Sequence, residues 1–305
     1  MSEVRRSITV AFQGELGAYS EDAVRTFFGH PAEPLPCREF RDVGRAVTDG
    51  TAQYGALPVE NTLAGGVGGS LDVLLNTDLE VVGEVIVPIH HCVLGPAGAT
   101  LDGLTRVLSH PVALAQCERF FAGRPGVEAV AVYDTAGAAK EVARLGERST
   151  GAIASRTAGA RYGLDVLAEQ VEDRPDNQTR FLVVARRGTP RPAGPVGANG
   201  RRTAIVLETA NQPGALVKAL QVLADRGINL SKLESRPTGE PWSYRFFIEI
   251  DGDAASPEAH NALEEIRRRA RSVRVLGSYA RYAEGGEEGR GKSETGKREE
   301  GRGKS

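Results

Sequence analysis

Residues 203–235, TAIVLETANQPGALVKALQVLADRGINLSKLES, decide the architecture of the C-terminal part of this chain. The apolar run Ala204–Thr209 reads as a strand. Asn211-Gln212-Pro213-Gly214 then supplies a cap candidate and a proline near the first helical position. Leu216, Ala219, Leu220 and Leu223 recur at three- to four-residue spacing, which predicts a helix over Pro213–Arg226, stopped at Gly227. Strands at Ile228–Ser235 and Trp242–Asp251, a helix at Pro257–Ala270 and a strand at Val273–Ala280 complete the order β-α-β-β-α-β. Two right-handed βαβ crossovers in that order give a four-stranded antiparallel sheet backed by helices, the ferredoxin-like arrangement.

Working outward, Arg187–Gly200 (RGTPRPAGPVGANG) holds three prolines and four glycines with Val196 as its one large apolar side chain, the composition of a linker. Upstream, candidate strands at Ile8–Phe12, Tyr54–Val59, Leu79–Leu94, Leu104–Leu108, Val127–Val132, Gly151–Ala154 and Thr179–Ala185 alternate with helical patterns at Ser20–Phe28, Gly69–Leu75, Val112–Phe121 and Thr135–Leu145. The intervals are too long for hairpins, so an α/β unit with a largely parallel sheet is expected. After Tyr282 the chain has seven Gly, six Glu and six Lys/Arg among residues 284–305 and no large apolar residue, which predicts disorder. The expected organisation is therefore 7–186, a linker at 187–202, 203–282, and a tail at 283–305.

The chain's 305 residues suit two domains of ordinary size. With 38 Lys+Arg against 40 Asp+Glu, the net charge is −2, so neither nucleic acid nor a membrane surface is an expected partner. The most apolar stretch, Leu79–Gly95, is broken by Glu80, Glu84 and His90-His91 and falls short of the ~20 apolar residues of a membrane helix. No signal peptide follows Arg5-Arg6, so a cytoplasmic location is expected. Cys37, Cys92 and Cys117 are odd in number and far apart, which predicts buried thiols and neither disulfide nor metal.

Four segments place polar groups where α/β sheets bind ligands. Phe12-Gln13-Gly14-Glu15-Leu16-Gly17-Ala18-Tyr19-Ser20 passes from strand to helix start, where backbone amides favour an anion, or where Ser20 is simply an N-cap. Pro58-Val59-Glu60-Asn61-Thr62 ends a strand, and the glycines of Ala64–Ser70 open a helix without the Gly-Lys-Ser/Thr of a nucleotide loop. Ser109-His110-Pro111 precedes a helix bearing Gln116 and Cys117. There Ser109 is a cap or a ligand for a carboxylate, and His110 is structural or an acid–base group. Asp176-Asn177-Gln178-Thr179-Arg180-Phe181 sets a hydroxyl, a guanidinium and an aromatic face in succession, suited to a small anionic substrate with a ring.

In order, FQGELGAYSE, PVENTLAGGVGGS, SHPVALAQC, DTAGAA and DNQTRF resemble prephenate dehydratase over about residues 8–186. Downstream, Asn211–Leu216 and Asn229–Pro237, with its ESRP strand, resemble the ACT regulatory domain of the same enzymes. The resemblance implies an α/β fold: a catalytic domain of two subdomains, like a periplasmic binding protein with substrate in the cleft, followed by a ferredoxin-like (βαββαβ) ACT domain. It implies a hydro-lyase that turns prephenate into phenylpyruvate without cofactor or metal and that is feedback-regulated by L-phenylalanine as a homodimer or homotetramer. Thr179 then corresponds to the residue essential for dehydration, with Glu60, Asn61, Ser109, Gln116, Arg180 and Phe181 binding substrate. Gly214, Ala215 and Leu216 would face Asn229, Leu230, Glu234, Ser235, Arg236 and Pro237 around the effector. Val112 departs from the glutamine many relatives carry after Ser-His-Pro.

In this reading Thr179 donates to the ring hydroxyl, while Arg180 and helix amides near Gly69-Ser70 or Ser109 hold the carboxylates. Glu60 or His110 would relay the proton, because a threonine hydroxyl is too weak an acid to act alone. Arogenate dehydratase remains an alternative, as does a non-catalytic amino-acid sensor, since cleft and ACT folds are both binding architectures. The second domain alone could be a dimerisation module. With no helical segment resembling chorismate mutase before residue 8, a monofunctional enzyme is expected.

Overall fold

Val10, Ala11 and Phe12 are all fully buried, which a strand achieves only when both of its faces are covered. The computed structural model describes residues 7–29, 31–192 and 200–282; the expected tail and residues 193–199 of the linker lie outside the described residues. The chain begins with β1 (Ile8–Gln13), α1 (Tyr19–Phe28), β2 (Ala32–Cys37), α2 (Phe40–Asp49), β3 (Tyr54–Asn61), the short β4 (Gly65–Gly66), α3 (Gly68–Asn76) and β5 (Glu80–Pro88). It continues with β6 (Cys92–Gly95), β7 (Arg106–Ser109), α4 (Pro111–Ala115), α5 (Glu118–Ala122), β8 (Glu128–Ala131), α6 (Thr135–Leu145), β9 (Thr150–Ala154), α7 (Arg156–Tyr162) and β10 (Asp165–Ala168). Then β11 (Gln178–Ala185) returns to the first sheet, whose order is β2-β1-β3-β11-β5, with β4 on β3, while β10-β6-β9-β7-β8 form a second sheet.

Both sheets are mixed, not largely parallel. In the first, β1 runs parallel to β2 and β3, and β11 is antiparallel to β3 and β5. In the second, β7 runs parallel to β8 and β9, while β6 is antiparallel to β9 and β10. The run expected as one strand over Leu79–Leu94 is two, because Ile89–His91 crosses from one sheet to the other. The return crossing lies beside it: Ile89 N donates to Asn177 O (2.8 Å) and Val171 N to His91 O (3.1 Å). Strand β2 was not expected, since Pro34 and Pro36 interrupt it; it sits at the sheet edge, where a missing N–H is tolerated.

The helix expected over Val112–Phe121 is also two. The Asp173 carboxylate accepts from Glu118 N (2.9 Å) and Arg119 N (3.0 Å), capping α5 and ending the preceding turn at Gln116-Cys117. Across the back of the cleft, Ser155 Oγ donates to Gly17 O (2.7 Å) and Tyr162 Oη to Leu16 O (2.8 Å). Gly17 has φ +95°, and a Cβ there would lie 2.9 Å from Ala158 Cα, so only glycine lets the two halves meet.

The C-terminal unit contains β12 (Arg201–Glu208), α8 (Ala215–Ala224), β13 (Leu230–Pro237), β14 (Tyr244–Asp251), α9 (Pro257–Arg269) and β15 (Ser272–Ala280). These give the expected β-α-β-β-α-β order and an antiparallel sheet β13-β14-β12-β15. One face packs on α8 and α9 through Ile205, Leu207, Ile248 and Leu263. The other packs on the first sheet: Val206, Phe247, Leu276 and Tyr279 share a core with Val81, Leu182 and Val184. Gly277 permits that approach, for its φ is +152° and a Cβ would collide with the Val81 carbonyl. Gly277→Ala is expected to cost roughly 1–3 kcal/mol or more, as overpacking does, measurable by urea unfolding. An unchanged midpoint would show that the contact yields without strain.

Candidate active site

Thr179, Arg180 and Phe181 are consecutive on β11, and successive strand residues face opposite sides. Thr179 and Phe181 accordingly line the cleft between the first two sheets, a cavity of about 420 Å³ and within the roughly 300–1,000 Å³ usual for small-ligand sites. Asn61 lies opposite Thr179 in the β3–β11 ladder, and its Nδ2 donates to Thr179 Oγ1 (2.9 Å) and Asn177 Oδ1 (2.8 Å). An amide nitrogen only donates, so Thr179 Oγ accepts this bond and keeps its own proton for another acceptor. Gln116 enters from the break between α4 and α5, and its Oε1 accepts from Asn177 Nδ2 (3.0 Å) and faces His91 Nε2 (3.1 Å). Thr179, Asn61, Gln116 and Phe181 are therefore brought together as expected.

Three expected contributors point elsewhere. Arg180 faces away from the cleft, and its guanidinium forms a bidentate pair with Glu249 of β14 (2.9 and 2.7 Å). It also reaches Glu84 (3.1 Å) and Glu60 (3.1 Å), so it is committed to a buried cluster between the sheets and not to a cleft carboxylate. Arg202 joins through Glu84 (2.8 Å), and Tyr279 Oη donates to Glu249 Oε1 (2.6 Å). Burial pushes the Glu249 carboxyl up, but Arg180 outweighs it and holds the group below the usual carboxylate range. Glu60 turns to Arg180 and Lys232 (3.6 Å), which removes it as a proton relay. Ser109 is fully buried and donates to Ile153 O (2.6 Å); His110 Nδ1, not Ser109, accepts from Val112 N to cap α4. Likewise Ala18, not Ser20, stands at the N-cap of α1.

Among the described residues the cavity lining carries no lysine or arginine. What it offers an anion is helix ends. Ala18, Tyr19 and Ser20 at the start of α1 and Val67 at the start of α3 line it, and neither helix has a side-chain cap. The one carboxylate in the lining, Asp134, is occupied: it accepts from Glu15 N (2.8 Å) and Ala136 N (2.9 Å). His91 and Tyr19, which the motif reading left without a role, also line the cavity. Burial lowers the His91 pKa and raises that of Tyr19. The signal in the sequence was a histidine pair interrupting an apolar run where the chain changes sheets. Among the described residues no His/Cys/Asp/Glu cluster fits a metal ion, and the three cysteines are free.

The glycines of Ala64–Ser70 have a packing reason. A Cβ on Gly66 would collide with the Glu234 carboxylate and one on Gly68 with the Arg236 guanidinium. Glu234 pairs with Lys232 (3.5 Å), and Arg236 holds Asp72 of α3 through two bonds (3.0 and 2.7 Å). Strand β13 thus presses on the loop whose Ala64 and Val67 line the cleft. Elsewhere in the C-terminal unit, Gly214, Ala215 and Leu216 line a second cavity of about 210 Å³. Asn229, Leu230 and Glu234, Ser235, Arg236, Pro237 do not line it; Asn229 instead donates to Asp251 (3.0 Å).

A family model described as prephenate dehydratase matches residues 10–189, more than half of the chain. The chain belongs to the prephenate dehydratase family. An ACT domain model matches residues 203–268 of this dehydratase. It is 39% identical to the bifunctional chorismate mutase/prephenate dehydratase of Neisseria gonorrhoeae, over 90% of this chain and 75% of that one. It is 40% identical to arogenate dehydratase 2 of Petunia hybrida, over 89% and 71%. Among solved structures, it resembles prephenate dehydratase from Arthrobacter aurescens in complex with L-Phe (33% identity, 90% of each chain, TM-score 0.82). It also resembles GqqA, described as a novel type of quorum quenching acylase (37% identity, 89% of this chain and 97% of that one, TM-score 0.80). The dehydratase thus combines a two-subdomain cleft with an ACT domain, as the motifs implied. Among the described residues no helix is long and apolar enough to cross a membrane.

Proposed function

We propose that the chain converts prephenate into phenylpyruvate, under feedback control by L-phenylalanine. The carrying observation is the polarity of Thr179, whose hydroxyl accepts from Asn61 and so presents its proton in a cavity with no cationic side chain among the described residues. Prephenate loses its ring carboxylate as carbon dioxide. The electron pair of that C–C bond enters the ring as the opposite C–O bond breaks, and the departing hydroxide leaves with one proton as water. Thr179 donates to the departing oxygen and stabilises its growing charge. The uncapped ends of α1 and α3 take the role expected of Arg180 and hold the dianion. With Glu60 turned away, His110 lines the cavity with its Nδ1 accepting from Val112 N (3.2 Å), so its Nε2–H is a second hydrogen-bond donor for the departing oxygen, and the proton that completes the water comes from solvent. Phe181 gives the forming aromatic ring an apolar wall.

An ammonium group in place of the keto oxygen is best matched by a carboxylate, and Asp134 in the lining already has each oxygen bonded to a backbone amide. This favours prephenate over arogenate. Competition between the two substrates tests it: the kcat/KM ratio is expected to favour prephenate by at least roughly tenfold, and a ratio below one would reverse the assignment.

In this reading, residues 7–186 are the catalytic unit and 203–282 the regulatory unit, joined by 187–202, in a cytoplasmic enzyme. The separation of Gly214–Leu216 from Glu234–Pro237 within one chain supports an effector site shared by two ACT domains. The edge strand β13, which among the described residues pairs with β14 alone, and the exposed Val217 and Leu233 provide the surface for a homodimer, or a homotetramer built from two.

A further inference from the structure

Three aliphatic hydroxyls line the cleft cavity, on Ser20, Thr135 and Thr179. Thr179 accepts from Asn61, and Thr135 opens α6, whose start the Asp134 carboxylate already caps. Ser20, the second residue of α1, is 8% exposed, and its hydroxyl meets no partner among the described residues. Side-chain polar groups buried to that degree are as a rule hydrogen-bonded. Around this hydroxyl, the first-turn amides of Tyr19 and Ser20 have no carbonyl behind them, and no side chain caps the helix. We propose that Ser20 is a substrate-binding residue: its hydroxyl, with the start of α1, holds the side-chain carboxylate of prephenate, the one that the reaction keeps.

The choice between the two carboxylates follows from where charge goes. The ring carboxylate loses its charge as the C–C bond breaks and carbon dioxide departs. A strong donor on it would be worth most in the bound substrate and least in the transition state, which raises the barrier. The side-chain carboxylate keeps its charge from prephenate to phenylpyruvate, so a strong site there binds every state alike and leaves the chemical step untouched. The start of α1 is the stronger site, a hydroxyl beside free amides. At the start of α3 the cavity is lined by Ala64 and Val67, which bring no side-chain donor and suit the group that must give up its charge. The other polar groups around Ser20 are matched. Glu21 accepts from Gly17 N (2.7 Å) and pairs with Arg161 (3.0 Å) and Arg25 (3.3 Å), and Asp22 bonds Thr157. Asp134 accepts from two backbone amides, and Tyr19 Oη donates to His90 O (2.7 Å). The Ser20 hydroxyl is the donor that the start of α1 has left to give.

This inference rests on the dehydratase reading above, and wild-type turnover of prephenate separates the two: without it the reading fails, whatever Ser20 does. With that turnover established, Ser20→Ala is expected to raise the KM for prephenate and the competitive Ki of phenylpyruvate by the same factor, roughly tenfold, as the loss of one hydrogen bond to a charged group does. Its kcat is expected to stay within about twofold of wild type, because the lost contact is the same in substrate and transition state. Ser20→Asp sets an acidic residue where a helix start favours one, so it is expected to fold and yet to show no measurable turnover at prephenate concentrations that saturate the wild type. Unchanged KM and Ki in Ser20→Ala would overturn the proposal, as would a loss carried by kcat alone. A raised KM with an unchanged Ki would place the contact on the departing carboxylate and overturn it too, and so would a Ser20→Asp enzyme that saturates as the wild type does. Thermal unfolding shows whether each variant is folded, and Ser20→Ala, which removes only an oxygen facing the cavity, decides alone if Ser20→Asp is not.

Discussion

Replacing Thr179 by valine is expected to lower kcat about 10²–10⁴-fold with little change in KM. Valine keeps the branched shape that suits β11 between β3 and β5 and removes only the hydroxyl. That hydroxyl is 9% exposed as part of its residue and already accepts from Asn61, so its single proton is its one remaining contribution to a ligand. The departing oxygen gains charge as the C–O bond stretches, so a donor there is worth more in the transition state than in the bound substrate. Steady-state kinetics with prephenate, beside a thermal scan to show that the variant is folded, makes the test. A kcat within about twofold of wild type would remove Thr179 from the mechanism.

Arg180→Met is expected to destabilise the enzyme by about 3–5 kcal/mol, because Glu249 has a side chain 1% exposed and would keep its charge without its bidentate partner. Arg180→Met combined with Glu249→Leu should be less destabilised than Arg180→Met alone, since the stranded charge is gone. Urea unfolding measures both, and a double variant weaker than the single would contradict the charge-burial account. The pH dependence has a defined sign. The Glu249 carboxyl sits below its ordinary value of 4.5 in the folded chain, so the unfolded chain takes up a proton first as pH falls. Its contribution is complete above about that value and is lost as pH drops through the lower folded one. Glu249→Gln should remove that share of the acid sensitivity. The same pair ties the strand carrying Thr179 to the regulatory sheet. Its removal is therefore expected to weaken inhibition by L-phenylalanine by roughly 5-fold or more.

The element order was legible because apolar periodicity and caps are local, and β1, β3, β11, α6 and the whole C-terminal order follow from them. The pairing of strands was not local. Nothing within Leu79–Leu94 says that Ile89–His91 changes sheets, and the two prolines of β2 hide a strand that only an edge accommodates. The site shows the same division. Thr179, Asn61, Gln116 and Phe181 all line the cleft, because each lies on a strand or at a helix break that faces it. Arg180 was misread although its own strand held the answer: if Thr179 and Phe181 face the cleft, the residue between them faces away. Glu60 and Ser109 failed because what satisfies them, Arg180 with Lys232 and the Ile153 carbonyl, comes from distant segments. The glycines of Ala64–Ser70 read as the opening of a helix whose amides hold a carboxylate, and the side chains they make room for lie about 170 residues away, at Glu234 and Arg236.

The most direct test of the account is the initial rate of phenylpyruvate formation from prephenate by the purified full chain, measured with and without L-phenylalanine. The account predicts turnover without added metal or cofactor, falling as L-phenylalanine is raised. A folded protein that leaves prephenate unchanged would contradict it.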